Sequence, residues 1–140
     1  MFYALDTDHF SAVDRSAAVT ANFRRRQQAA RGEFFITVIT IQEAMRGWLA
    51  LLASRKTPSD EIPVYARMER SVQAIGEWGV LPWDAEAVAE LAKLRAKKIR
   101  LGTMDLKIAS IVLAHDATLL TRNAVDFSKV PGLRVENWLD

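Results

Sequence analysis

The chain contains no cysteine. Disulfides, thiolate zinc sites and a cysteine nucleophile are therefore excluded, and a reducing compartment is accommodated. Histidine is scarce. His9 and His115 lie far apart, and neither has a second His at zinc-ligand spacing. No apolar run approaches the ~20 residues of a membrane span. The apolar start, MFYAL, lacks the basic flank and the length of a signal peptide. A charge surplus is also missing: Lys plus Arg number 19 and Asp plus Glu 17, a net charge of +2. That balance does not by itself indicate a nucleic-acid partner. Internal repeats and low-complexity segments are absent. The expectation is a soluble, cytoplasmic protein with no membrane association.

What is present is a globular composition. The 140 residues are 50% hydrophobic, which suits one domain, 1–140, with a real core. Basic residues are grouped at Arg24, Arg25, Arg26 and at Arg95, Lys97, Lys98, Arg100. A solvated face is the ordinary explanation of such runs.

Short apolar runs alternate with amphipathic stretches. Phe2–Leu5, Phe34–Val38, Val80–Leu81 and Thr118–Thr121 read as strands, and Arg134–Val135 as an edge strand. Asp6-Thr7-Asp8 offers cap chemistry for a first helix, and residues 17–30 form a second that stops near Gly32. Thr40 opens a third, with Ala44, Met45, Trp48, Leu49 and Leu52 facing inward. After the break at Thr57–Asp60, Val64, Met68, Val72 and Ile75 mark a fourth. Asp84 caps a fifth, with Val88, Leu91, Leu94 and Ile99 as its apolar face. Thr103 caps an almost wholly apolar helix from Met104. This alternation predicts an α/β fold: a central parallel sheet of four to five short strands flanked by helices in three layers.

Four acids fall just beyond the strand ends, where such sheets bind ligands. Each has a structural reading. Asp6 can be an N-cap. Glu43 completes the capping-box pattern Thr40-x-x-Glu43. Asp105 suits the first turn of a helix, and Asp126 can end a loop. Crowded together, however, four carboxylates repel, and a cation among them relieves the cost. An all-oxygen set without Cys or paired His suits Mg²⁺ or Mn²⁺ rather than zinc. That equipment serves phosphodiester hydrolysis. Neither "GTMD" nor "TRN" has the glycine spacing of a phosphate-binding loop.

Three blocks in order, "LDTDHF" (Leu5–Phe10), "TVITIQEAMRG" (Thr37–Gly47) and Gly102–Trp138, resemble the PIN-domain ribonucleases. Among these, they are most similar to the VapC toxins of bacterial toxin–antitoxin pairs. The resemblance spans nearly the whole chain. It implies a three-layer PIN-like fold and a Mg²⁺- or Mn²⁺-dependent endoribonuclease. Carried over residue by residue, it places metal-binding, catalytic acids at Asp6, Glu43 and Asp105. The fourth position departs from the common pattern: many members have an acid where this chain has Asn123, and Asp126 supplies one three residues later. Thr7 and Thr121 become supporting hydroxyls, with Asn123 supporting or touching substrate. Lys107 and Arg122 are candidates for holding the RNA backbone. The resemblance also implies a homodimer silenced by a small antitoxin.

Two alternatives stay open at this level. Asp6 and Asp8 also match the D-x-D opening of haloacid-dehalogenase-type phosphatases, but Asp105 has no acidic neighbour to complete that machinery. A non-cleaving PIN-like module that binds RNA or protein is favoured by the neutral Asn123.

Overall fold

In a computed structural model describing residues 1–140, five short strands form one sheet. They are β1 (Phe2–Leu5), β2 (Glu33–Thr37), β3 (Gly79–Leu81), β4 (Thr118–Leu120) and β5 (Arg134–Glu136). The order is β3-β2-β1-β4-β5, and every pairing is parallel. The helices are α1 (Thr7–Arg15), α2 (Ala17–Ala30), α3 (Val38–Ser54), α4 (Pro58–Ile75), α5 (Ala85–Ala96), α6 (Thr103–Ala114) and the four-residue α7 (Ala124–Phe127). None is long and apolar enough to cross a membrane.

The period-two alternation of the strands divides the core between the two sheet faces. Ala4 and Leu119 join α5 and α6 on one side through Leu91, Leu94, Ile108 and Ile111. Tyr3, Leu5, Ile36 and Leu120 join α1 and α2 on the other through Phe10, Val13 and Phe23. The second face is aromatic. Phe23 is fully buried, with ring centroids 5.9 Å from both Phe34 and Trp138 and 6.2 Å from Trp78. The chain passes close to itself at Gly32, where a Cβ would lie 2.6 Å from the Tyr3 ring. The left-handed residue that ends α2 is its neighbour Arg31, at φ 51°.

Two helix starts differ from the sequence expectation. The α3 helix begins at Val38 directly off β2, with Thr37 as N-cap accepting from the Thr40 N–H. Thr40 therefore lies inside the helix, and Thr40-x-x-Glu43 is not a capping box. Gly102, not Thr103, is the N-cap of α6, and it offers no side-chain bond. Several residues expected inside are outside: Met45, Leu49, Val72 and Val88 are 50%, 62%, 56% and 49% exposed. Trp48, Val64, Leu91 and Leu94 are buried as expected, and Ala87 takes a further buried position of α5.

Candidate functional site

The strand order reverses between β1 and β4, because the chain runs from β1 outward to β2 and β3 and then returns to the opposite side of β1. A parallel sheet opens a crevice at the carboxyl end of such a switch point. Asp6 leaves β1 at that point, and its backbone N–H donates to the Leu120 carbonyl of β4 at 3.0 Å. The Asp6 carboxylate is also the N-cap of α1, accepting from the His9 N–H at 2.8 Å. The cap expectation thus describes its bonds, although the residue is buried where a cap is commonly solvated. Burial pushes its pKa up from 3.8 to about 6. The Thr121 hydroxyl and the His9 N–H pull it down, and the charges of Asp8 and Asp105 push it up again.

Glu43 reaches the same end of the sheet from α3. The Thr7 hydroxyl donates to its Oε1 at 2.6 Å, and the Thr7 and Thr40 hydroxyl oxygens are 3.1 Å apart. Asp105 occupies the first turn of α6, half-buried. Burial raises its pKa, and the charges of Glu43, Asp8 and Asp126 add to the rise in that order. Asp126 stands at the rim on α7, its side chain 46% accessible. Asn123 Nδ2 donates to it at 3.0 Å and Lys129 Nζ at 3.2 Å, and the Asn123 bond leads in holding its pKa below the usual value. The Asn123 N–H in turn donates to the Thr121 hydroxyl at 2.9 Å.

Asp105 is therefore the centre of an acidic pole that also includes Asp8. The sequence reading placed Asp8 beside Asp6 only in the phosphatase alternative and not among the acids of this site; its signal was the second acid of "DTD". Thr40 was missed as well, since it was read as a cap. The proposed cationic residues are engaged elsewhere: Lys107 Nζ lies 5.5 Å from the Trp83 ring centroid, and Arg122 pairs with Asp140 at 3.4 Å. Neither histidine joins the acids. His9 is fully buried, with Nε2 accepting from the Trp138 N–H at 3.4 Å. Burial, then the charge of Arg122, lowers its pKa to about 4. His115 caps α6, its Nδ1 2.9 Å from the Ile111 carbonyl oxygen.

The donor set fits a hard divalent cation in kind. It is composed of carboxylate oxygens, and a buried carboxyl with a pKa near 6 lacks a counter-charge. The side chains are not drawn into a ligating cage: no three His, Cys, Asp or Glu groups stand close enough to hold an ion. Glu43 is turned onto Thr7 and Asp126 onto Lys129.

The PIN domain family model matches residues 3–133. The chain belongs to the PIN domain family. As a PIN domain it is similar over most of its length to the tRNA(fMet)-specific endonuclease VapC of Shigella flexneri, with 28% identity over 97% of each chain. A shorter stretch of 46 residues is 44% identical to Ribonuclease VapC2 of Rickettsia felis, covering 33% of this chain and 34% of that one. Among solved structures, VapBC2 of Rickettsia felis bound to a promoter DNA fragment has the same fold. The TM-score is 0.72 at 22% identity, and 99% of each chain is covered.

Proposed function

We propose that this PIN domain is a cytoplasmic, metal-dependent endoribonuclease and the toxin of a toxin–antitoxin pair. The observation that carries the proposal is that Asp6 and Asp105, at the carboxyl end of the sheet's switch point, are buried and half-buried without a counter-charge and have pKa values raised first by that burial and then by neighbouring carboxylates. Names of similar proteins support the substrate class: one is a tRNA(fMet)-specific endonuclease and another a ribonuclease. The VapBC complexes among the structural neighbours support an antitoxin partner. A homodimer, with the single domain spanning 1–140, belongs to the same proposal.

Asp6, Glu43 and Asp105 would hold Mg²⁺ or Mn²⁺, with Asp126 completing the charge from the rim. The cation, when bound, supplies an activated water and neutralises charge on phosphoryl oxygens. Thr7 steadies Glu43, Thr121 steadies Asp6, and Asn123 aims Asp126. Lys107 and Arg122 would meet RNA phosphates, exchanging Trp83 and Asp140 for them. The phosphatase alternative is set aside because the PIN fold accounts for the chain and Asp6, as a buried helix cap, is poorly presented as a nucleophile. The non-cleaving alternative rests on Asn123, but Asn123 donates to Asp126 and leaves the acids in place.

The test is RNA cleavage by purified protein with Mg²⁺ or Mn²⁺. EDTA should stop it, and Asp105→Asn should abolish it in a protein that remains folded. Cleavage that survives EDTA overturns the proposal.

A further inference from the structure

The acidic pole does not end at the carboxylates. A groove of about 380 Å³ opens from Thr7 and Glu43 and runs between α1, α3 and α4 to Arg15 and Arg67. Its outer end continues into a wholly polar recess lined by Asp14, Arg15, Arg67, Arg70 and Ser71. Thr7, Ser11 and Arg15 lie on one face of α1, so the groove follows that helix for about 12 Å at 1.5 Å per residue.

Three guanidiniums thus converge on one recess with a single acid. None of them is paired: the ion pairs of the protein involve Lys93, Arg122, Lys129 and Arg134 instead. Arg67 is half-buried and has no carboxylate partner. Unpaired guanidiniums in a polar recess are suited to a phosphate backbone, which they can meet with paired N–H donors.

A second observation is independent of charge. Gly47, in the middle of α3, lines the same groove. A Cβ built there meets nothing within 4 Å, and φ is not positive. Neither packing nor backbone geometry requires glycine. A mid-helix glycine costs about 1 kcal/mol relative to alanine. The missing side chain leaves that stretch of the groove lining open.

We infer that this groove is the track of a single RNA strand leaving the acidic pole. Arg15, Arg67 and Arg70 grip its phosphates, and Gly47 leaves room for it. The inference rests on the ribonuclease reading and adds to it the path of the substrate and three positioning residues.

The experiment uses Asp105→Asn protein and a fluorescein-labelled single-stranded RNA oligonucleotide, with affinity measured across a salt series. Cleavage kinetics of the otherwise parental protein run alongside. Arg67→Ala should weaken binding about tenfold and reduce the salt slope by about 0.7 for each phosphate that is no longer neutralised. In cleavage it should raise KM more than it lowers kcat. Arg15→Ala and Arg70→Ala should act in the same direction. Arg95→Ala, an equal loss of charge on α5, should not. Gly47→Leu should melt at or above the parent temperature yet bind RNA several-fold more weakly.

If the parent neither cuts nor binds RNA, the ribonuclease reading and this inference fall together. If the parent does both and the arginine and Gly47 variants match it, only the inference falls. An Arg95→Ala effect as large as that of Arg67→Ala also overturns it, because binding would then follow overall charge. Variants that keep RNA affinity but lose an antitoxin would assign the groove to protein instead.

Discussion

Replacing Asp6 by Asn should make the metal-free protein more stable at neutral pH. The Asp6 carboxyl titrates at about 6 in the fold and at 3.8 without it, with burial as the main cause. The folded state therefore binds this proton more tightly than the unfolded state. Protonated Asp6 contributes stability that is fully present below about pH 3.8 and is lost as pH rises through about 6. Above that window the ionised carboxylate costs the fold about 3 kcal/mol at 1.36 kcal/mol per pH unit. Asn removes the charge but retains an oxygen for the His9 N–H, and Asn caps helices as well as Asp does. Its amide nitrogen needs an acceptor, and Thr121 is the adjacent one; allowing for that leaves a gain of about 1–3 kcal/mol. The expected rise in Tm is roughly 4–12 °C. Melts of both proteins in EDTA at about pH 8 and about pH 4 measure it, and the difference should shrink toward zero at the acid end. His9 titrates in both proteins and cancels in that difference. A variant that melts below the parent at pH 8, or one whose advantage is the same at both pH values, would refute the reasoning.

Glu43→Gln keeps an acceptor for the Thr7 hydroxyl, so it should melt as the parent does or slightly higher while losing nearly all RNA cleavage; both readouts come from one preparation. Unchanged cleavage would leave a site of three acids. In a metal titration followed by thermal shift, Asp126→Ala should weaken binding more than Asn123→Ala, because removing a charge costs more than removing the amide that aims it; the reverse order would give the fourth position to Asn123. On the aromatic face, Phe23→Ala should cost about 3–5 kcal/mol in urea unfolding, since the ring is fully buried against Phe34, Trp78 and Trp138. A loss below about 1 kcal/mol would mean that the face repacks.

Much of the architecture was legible because strands and helices differ in period. Phe2–Leu5 and Thr118–Leu120 are short apolar runs, and all of their residues except the exposed Phe2 are buried as a parallel sheet requires. Helix starts were less legible. Val38 is β-branched and reads as the end of a strand, yet with Ile39 it forms the first turn of α3, because the chain turns from β2 into the helix without a loop. Propensity there yielded to tertiary packing, with Ile39 buried in the core. Met45, Leu49 and Val88 were misplaced because spacing reveals that a helix has an apolar stripe, not which of two stripes meets the sheet. Asp6 and Glu43 could be singled out from their positions after strands, whereas Asp105 follows the helix α5 rather than a strand end, so that part of the expectation fails and its signal was the family resemblance. The part of Asp8 could not be singled out, since an acid in the first turn of α1 already has a structural explanation. The arginines of α1 and α4 could not be associated at all, because only the packed helices bring Arg15 beside Arg67.

The central place of β1 has a consequence for how the protein is made. Its two neighbours are β2 and β4, and β4 begins at Thr118. A ribosome adds about 5–20 residues per second, so β1 waits roughly ten seconds with one side open. The acids are spread in the same way, from Asp6 to Asp126. A growing chain holds an unfinished pole until residues 105–126 have emerged, and the Leu120 carbonyl that anchors Asp6 arrives with them. Chain order thus acts as a timer: no partial product assembles the full acidic pole.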